Sequence, residues 1–259
     1  MSSQKTFKFG LKKSKIDPSE KRLSFCYDHK IQLPSLFSLR QHVPKIYDQL
    51  ATNSCSANAG ANFIIMSDDQ HVINCKEISR MYLYFVTRWL ENNKKMPILD
   101  EGATLKTLFD SLVFYHWISE DKYNFNIEKV NSIPPSEVFN EAIKNKNPVV
   151  NYRRIIANKY SIKYVLAILK RPILMGIMVF TNFYNLSKEN DILYVPSKTD
   201  DECLGGHAVV GIGYDEESDT LEILNSHGSD FADAGCFRLK FEYVLNPDLA
   251  FEFYIANAD

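Results

Sequence analysis

A thiol, an imidazole and a carboxamide stand in this sequence where nucleophilic catalysis would need them. Cys55 follows a polar loop, 49–54, and opens a run of small, helix-compatible residues to Met66 in which Ala57, Ala61, Ile64 and Ile65 share one face. A sulfur at a helix N-terminus meets free backbone N–H groups and the positive end of the macrodipole, both of which favour thiolate. Of the six histidines, only His207 lies in a glycine-rich turn that opens a strand, Gly205-Gly206-His207-Ala208, where missing side chains leave room for a substrate backbone. Asn225 follows at the end of the next strand, where its carboxamide can accept the second ring N–H across a hairpin. Such a set lets the imidazolium stabilise the thiolate and then protonate a leaving group.

The elements that would carry these groups differ between the two halves of the chain. Ile78, Met81, Tyr82, Phe85 and Trp89 recur at helical steps, as do Leu105, Leu108, Leu112 and Tyr115. Further helices are predicted from Ser136 towards Lys144, after a Pro-Pro interruption, and from Ser161 to Lys170. Beyond that the chain turns to short apolar or alternating runs at 173–180, 207–214, 221–224, 236–241 and 251–255, which read as strands. Helices followed by strands predict an α+β protein of two lobes meeting at a cleft. Residues 1–33 are basic and aperiodic and form an N-terminal extension; the compact domain is expected over 34–259, with the helical lobe mainly 50–150 and the β lobe mainly 151–259.

With 30 basic against 32 acidic residues, the net charge of -2 provides no field for nucleic acid or an anionic membrane, and neither partner is expected. Five cysteines without a Cys-x-x-Cys pair argue against a disulfide scaffold or a zinc site, so no metal is expected. Cys26, Cys75, Cys203 and Cys236 are read as inert thiols. The N-terminus lacks the apolar stretch of a secretory signal, and the most apolar run, 164–180, is interrupted by Lys170, Arg171 and Pro172, so a cytoplasmic protein is expected.

Gln49, six residues before Cys55, the Gly-His-Ala turn and the Asn-Ser-x-Gly run, in the order Gln, Cys, His, Asn, resemble the papain-like cysteine peptidases over roughly Leu33 to Ala256. The wording around Cys55 resembles a divergent, cathepsin-B-like branch found in bacteria and large DNA viruses, which implies a virion-associated location as the alternative to a cytoplasmic one. The resemblance implies a papain-like two-lobe fold, helical lobe against β-barrel-like lobe, and a cysteine endopeptidase that needs no cofactor and acts on protein or peptide substrates. It implies Cys55 as nucleophile, His207 as base, Asn225 as its orienting partner and Gln49 as an oxyanion-hole donor. Gly102 resembles the glycine that pairs with substrate backbone, and Gly206 is grouped with it as substrate-binding. The basic extension, by the same resemblance, would act as an autoinhibitory pro-like segment, as in a zymogen. No His-His pair lies between Gly102 and Pro135, so a carboxydipeptidase loop is not expected. Two departures stand out: Ser56 and His227 replace tryptophans usual in the family. A polar His227 is expected to admit water and weaken the His207–Asn225 bond. The alternative function is a papain-fold binding or structural protein with weakened catalysis; a third is a Cys-His hydrolase of isopeptide or amide bonds.

Overall fold

A computed structural model of the chain describes residues 7–15, 22–68, 73, 77–149 and 151–257. Cys75 lies outside the described residues, as do parts of the extension.

In chain order the elements are β1 (Leu11–Lys12), β2 (Arg22–Leu23), β3 (Leu36–Ser38), α1 (Cys55–Met66), α2 (Arg80–Glu91), β4 (Ala103–Thr104), α3 (Leu105–Tyr115), α4 (Ser136–Ala142), β5 (Tyr152–Ile155), α5 (Lys159–Ala167), β6 (Ile173–Phe180), β7 (Ile192–Leu193), β8 (Cys203–Asp215), β9 (Thr220–Leu224), β10 (Cys236–Lys240), α6 (Phe241–Val244) and β11 (Ala250–Ala256).

The helical lobe forms because its sequence supplies both caps and apolar faces. Ser79 caps α2 by accepting from the Tyr82 N–H, and Thr104 caps α3 by accepting from the Thr107 N–H, each satisfying a donor that the first helical turn leaves open. α2 packs along α3, and a satellite core of Met81, Tyr82, Phe85, Val86 and Ile98 closes over α4 through Phe139. α1 is buried almost all round, between β8 on one side and α2 and α3 on the other. It has Gly60 where a Cβ would strike Leu108 of α3, so the close helix contact requires glycine there. Fully burying Phe63 and Ile64 stabilises the lobe by roughly 1.5–3 kcal/mol each.

The second lobe is built on a mixed sheet in the order β2-β5-β11-β6-β8-β9-β10-β7, with β3 pairing β8 off this path. No pairing among the described residues closes it, so the barrel-like lobe is an open sheet. β6 and β8, the longest pair, are antiparallel with Ile177 opposite His207 and Met178 opposite Gly206. That register places His207 in the sheet centre, on the strand that packs against α1. The two lobes of the expectation are present, and part of the extension is woven into both: β2 adds to the sheet edge at β5, and β1 pairs in parallel with β4. No helix among the described residues is long and apolar enough to cross a membrane.

Candidate active site

Cys55 is the first residue of α1, and the turn before it is held by a chain of buried polar groups. Thr52 Oγ1 donates to the Gln49 carbonyl at 2.7 Å and lies 2.6 Å from Ser54 Oγ. Asn58, one helical turn on, donates from Nδ2 to both the carbonyl and the hydroxyl of Ser54 at 2.9 Å. Arg80 Nη1 in turn donates to Asn58 Oδ1 at 2.9 Å, and its Nη2 pairs with Glu120 at 2.9 Å. The guanidinium therefore ties α1 to the start of α2.

His207 and Asn225 meet across the β8–β9 hairpin, with His207 Nε2 2.7 Å from Asn225 Oδ1. Because a carboxamide oxygen only accepts, His207 carries its proton on Nε2 and keeps Nδ1 as a bare lone pair. Nδ1 is buried and has no hydrogen-bond partner. Its neighbour Ala208 directs a backbone N–H at the Cys55 sulfur, which places the strand carrying His207 against the start of α1.

Gln49 is fully buried and held from two sides: Ser226 Oγ donates to its Oε1 at 2.8 Å, and its Nε2 donates to the Thr52 carbonyl at 2.8 Å. The remaining Nε2 proton points to the Lys8 carbonyl at 3.0 Å. The donor predicted for an oxyanion thus already holds a carbonyl of the chain's own N-terminal segment.

That segment runs the length of the cleft. Phe7 stacks on His227 at 4.1 Å and on Tyr184 at 6.0 Å and meets Phe231 edge-on at 5.8 Å; Phe9 lies edge-on to Phe183 and His207. The Gly10 N–H joins that of Ala208 at the Cys55 sulfur, and Gly10 bridges to Gly206. Leu11 is buried between the two lobes, where a Cβ on Gly176 or Gly206 would strike it. A Cβ at Gly102, where φ is +77°, would overlap the Gly10 carbonyl. Both glycines predicted to meet a substrate backbone are therefore where this segment's backbone comes closest. Ser14 completes the strap by donating its N–H (2.5 Å) and hydroxyl (2.8 Å) to the buried carboxylate of Glu252.

Burial dominates the electrostatics of the covered site. It pushes the Cys55 thiol pKa up, against the pull of the N–H groups of Ala208, Gly10, Ser56 and Cys55 itself. It pushes His207 down to about 4, against the hydrogen bond to Asn225, which favours the cation. The thiolate expected at the helix N-terminus is thus outweighed here by desolvation, and the resting pair is neutral thiol and neutral imidazole.

His227 departs from expectation. It is 1% exposed rather than wet, its ring stacks on His207, and its Nδ1 lies 2.9 Å from Asn225 Nδ2. The His207–Asn225 bond is shielded by this imidazole with Phe7, Phe9 and Phe183 around it. Cys26 and Cys203 are exposed and Cys236 is buried, all as free thiols. Sequence reasoning missed the roles of Ser226, Asn58 and Arg80. Ser226 stands in the quoted Asn-Ser run, and Arg80 is a charge inside an apolar helix period, which was the available signal.

No family model matches the chain. A peptidase C1-like protein of Acanthamoeba polyphaga mimivirus is 31% identical over 237 residues, spanning 88% of this chain and 74% of that protein. Among solved structures, xylellain, a cysteine protease from Xylella fastidiosa, superposes with a TM-score of 0.80 at 22% identity, over 100% of this chain and 99% of that one. Procathepsin B S9 from Trypanosoma congolense gives 0.61 at 17% identity over 90% and 80% of the two chains. The chain belongs to the papain-like cysteine peptidase family, with a viral protein among its relatives.

Proposed function

We propose that the chain is a papain-like cysteine endopeptidase held latent by its own N-terminal segment. Cys55 attacks a substrate carbonyl, Gln49 Nε2 and a backbone N–H stabilise the oxyanion, and His207 Nδ1 takes the thiol proton and gives it to the leaving amine. Water then attacks the acyl-enzyme with His207 as base. Asn225 holds the imidazole so that Nδ1 faces the sulfur throughout.

One observation carries the latency. The carbonyl at Gln49 belongs to Lys8, whereas the group at the sulfur is the N–H of Gly10, two residues on. Attack requires one peptide's carbonyl carbon at the sulfur and its oxygen at Gln49. The segment therefore fills both positions without placing a scissile bond in them, and a bound segment of this register blocks substrate without being cut. By excluding water it also favours the neutral pair, so it suppresses the nucleophile chemically as well as sterically.

Two experiments test the reading. Cys55→Ala is expected to lower peptide hydrolysis by several orders of magnitude; an unchanged rate removes the assignment. A chain beginning near Leu33, and the full chain carrying Phe7→Ala with Phe9→Ala, are both expected to hydrolyse peptides about tenfold or more faster than the native chain, since each of these half-buried aromatics contributes about 1 kcal/mol to the closed state. Equal rates in all three would remove the latency. The second reading, a catalytically weakened binding protein, is favoured by the full burial of Cys55. It predicts that iodoacetamide fails to label Cys55 at neutral pH even in the shortened chain.

A further inference from the structure

His207 and His227 lie with their rings parallel, 5.0 Å between centroids and 5° between planes. The Asn225 carboxamide connects their edges: Oδ1 is 2.7 Å from His207 Nε2 and Nδ2 is 2.9 Å from His227 Nδ1. Asn225 is 2% exposed, so water does not offer its amide a substitute partner, and its backbone is anchored by the N–H bond to the Gly235 carbonyl.

An amide is polar in one direction only, since its oxygen accepts and its nitrogen donates. In the observed orientation His207 must be protonated on Nε2 and bare on Nδ1, while His227 must be bare on Nδ1. Turning the amide by half a rotation would reverse every member of the chain. His227 would then donate from Nδ1, His207 would be bare on Nε2, and the His207 proton would sit on Nδ1, the position that must receive the thiol's proton. The two rings therefore cannot choose their tautomers independently. Resting on the cysteine-peptidase reading, we infer that His227 is a positioning residue that sets the tautomer of His207 through the Asn225 carboxamide. An indole or phenyl ring in its place could shield the bond but has no acceptor at the Nδ1 position, so it could not distinguish the two amide orientations. The neutral, stacked ring also offers the His207 cation that forms during turnover a π-face instead of a second positive charge.

The test uses the isotope-labelled full chain and imidazole proton–nitrogen NMR at neutral pH, a readout that needs no peptidase activity. Both rings are expected as Nε2–H tautomers with bare Nδ1. In His227→Phe, His207 is expected to shift to a mixture of tautomers, and in His227→Asn, whose Oδ1 falls near the place of Nδ1, to return to Nε2–H. In peptide hydrolysis, His227→Phe is expected to lower kcat about tenfold with KM unchanged, and His227→Asn to recover most of it. Melting curves verify that each variant is folded; should His227→Phe not fold, the tautomers of the native chain decide. A native His227 protonated on Nδ1, or a folded His227→Phe in which His207 stays wholly Nε2–H, overturns the inference. Retained hydrolysis in Cys55→Ala would instead strike the functional reading and leave the tautomer result standing.

Discussion

At the scale of single residues, the site depends on how buried polar atoms are paired. Gln49 donates to the Lys8 carbonyl while Ser226 Oγ holds its oxygen and the Thr52 carbonyl its second N–H. Gln49→Ala in the shortened chain is expected to lower kcat/KM by roughly a hundred- to a thousandfold, as loss of an oxyanion donor does. Ser226→Ala is expected to lower it about tenfold by freeing the amide to rotate. Steady-state kinetics distinguish the two, and a Ser226→Ala rate equal to the native one would show that Thr52 alone holds the amide. Gln49, Cys55, His207 and Asn225 could be proposed from sequence because their order along the chain and their local wording are distinctive, and Asn225 does meet His207 across the hairpin. Ser226, Asn58 and Arg80 were not, because each acts by touching a partner distant in sequence, and a hydroxyl or guanidinium carries no periodic signature. The water expected at His227 failed for the same reason: its dryness comes from Phe7, Phe183 and Phe231, drawn from three separate parts of the chain.

At the scale of elements, long regular segments announced themselves and short ones did not. α2, α3, β6 and β9 to β11 follow the predicted periodicities closely. β8 begins four residues before the predicted strand, because Gly205 and Gly206 still pair with β6. α5 starts at Lys159 because Asn158 caps it by accepting from the Ser161 N–H. β1, β2, β4 and β7 are two residues each and exist only through their partners, so no pattern within them could reveal them. α1, which carries Cys55, is moored to α2 through Arg80, whose Nη1 donates to Asn58 Oδ1 while its Nη2 pairs with Glu120, both members of that pair largely buried. Arg80→Met leaves the Glu120 carboxylate without its cation and Asn58 without its donor. The expected loss is on the order of 3 kcal/mol, read as a lowered urea midpoint, and Arg80→Met with Glu120→Gln should recover part of it. A single variant as stable as the native chain would show the pair to be dispensable.

At the scale of the whole molecule, burying His207 in the covered cleft couples stability to pH. His207 has an ordinary pKa of 6.5 but about 4 when folded. Between those values the unfolded chain takes up a proton that the folded chain refuses, so the contribution is fully present above pH 6.5 and is lost as pH falls towards 4. Its size is about 3 kcal/mol. Thermal melting of the full chain should therefore fall across this window, and His207→Gln should flatten the fall; parallel curves would assign the acid sensitivity elsewhere. The two-lobe α+β architecture was legible as a change from helical to strand periodicity near residue 170. The path of the extension was not, since backbone contacts made by glycines leave almost no trace in composition.

The strand that closes the cleft and the strand that joins the sheet edge are consecutive in one chain: β1 ends at Lys12 and β2 begins at Arg22. A cleft segment that lets go thus stays tethered at millimolar effective concentration. Specific activity should accordingly be the same at nanomolar and at micromolar enzyme, and the segment supplied as a free peptide should restrain the shortened chain only at far higher doses. On the proposed latency, dilution does not free the cleft; severing the tether, or outcompeting a neighbour that never leaves, does.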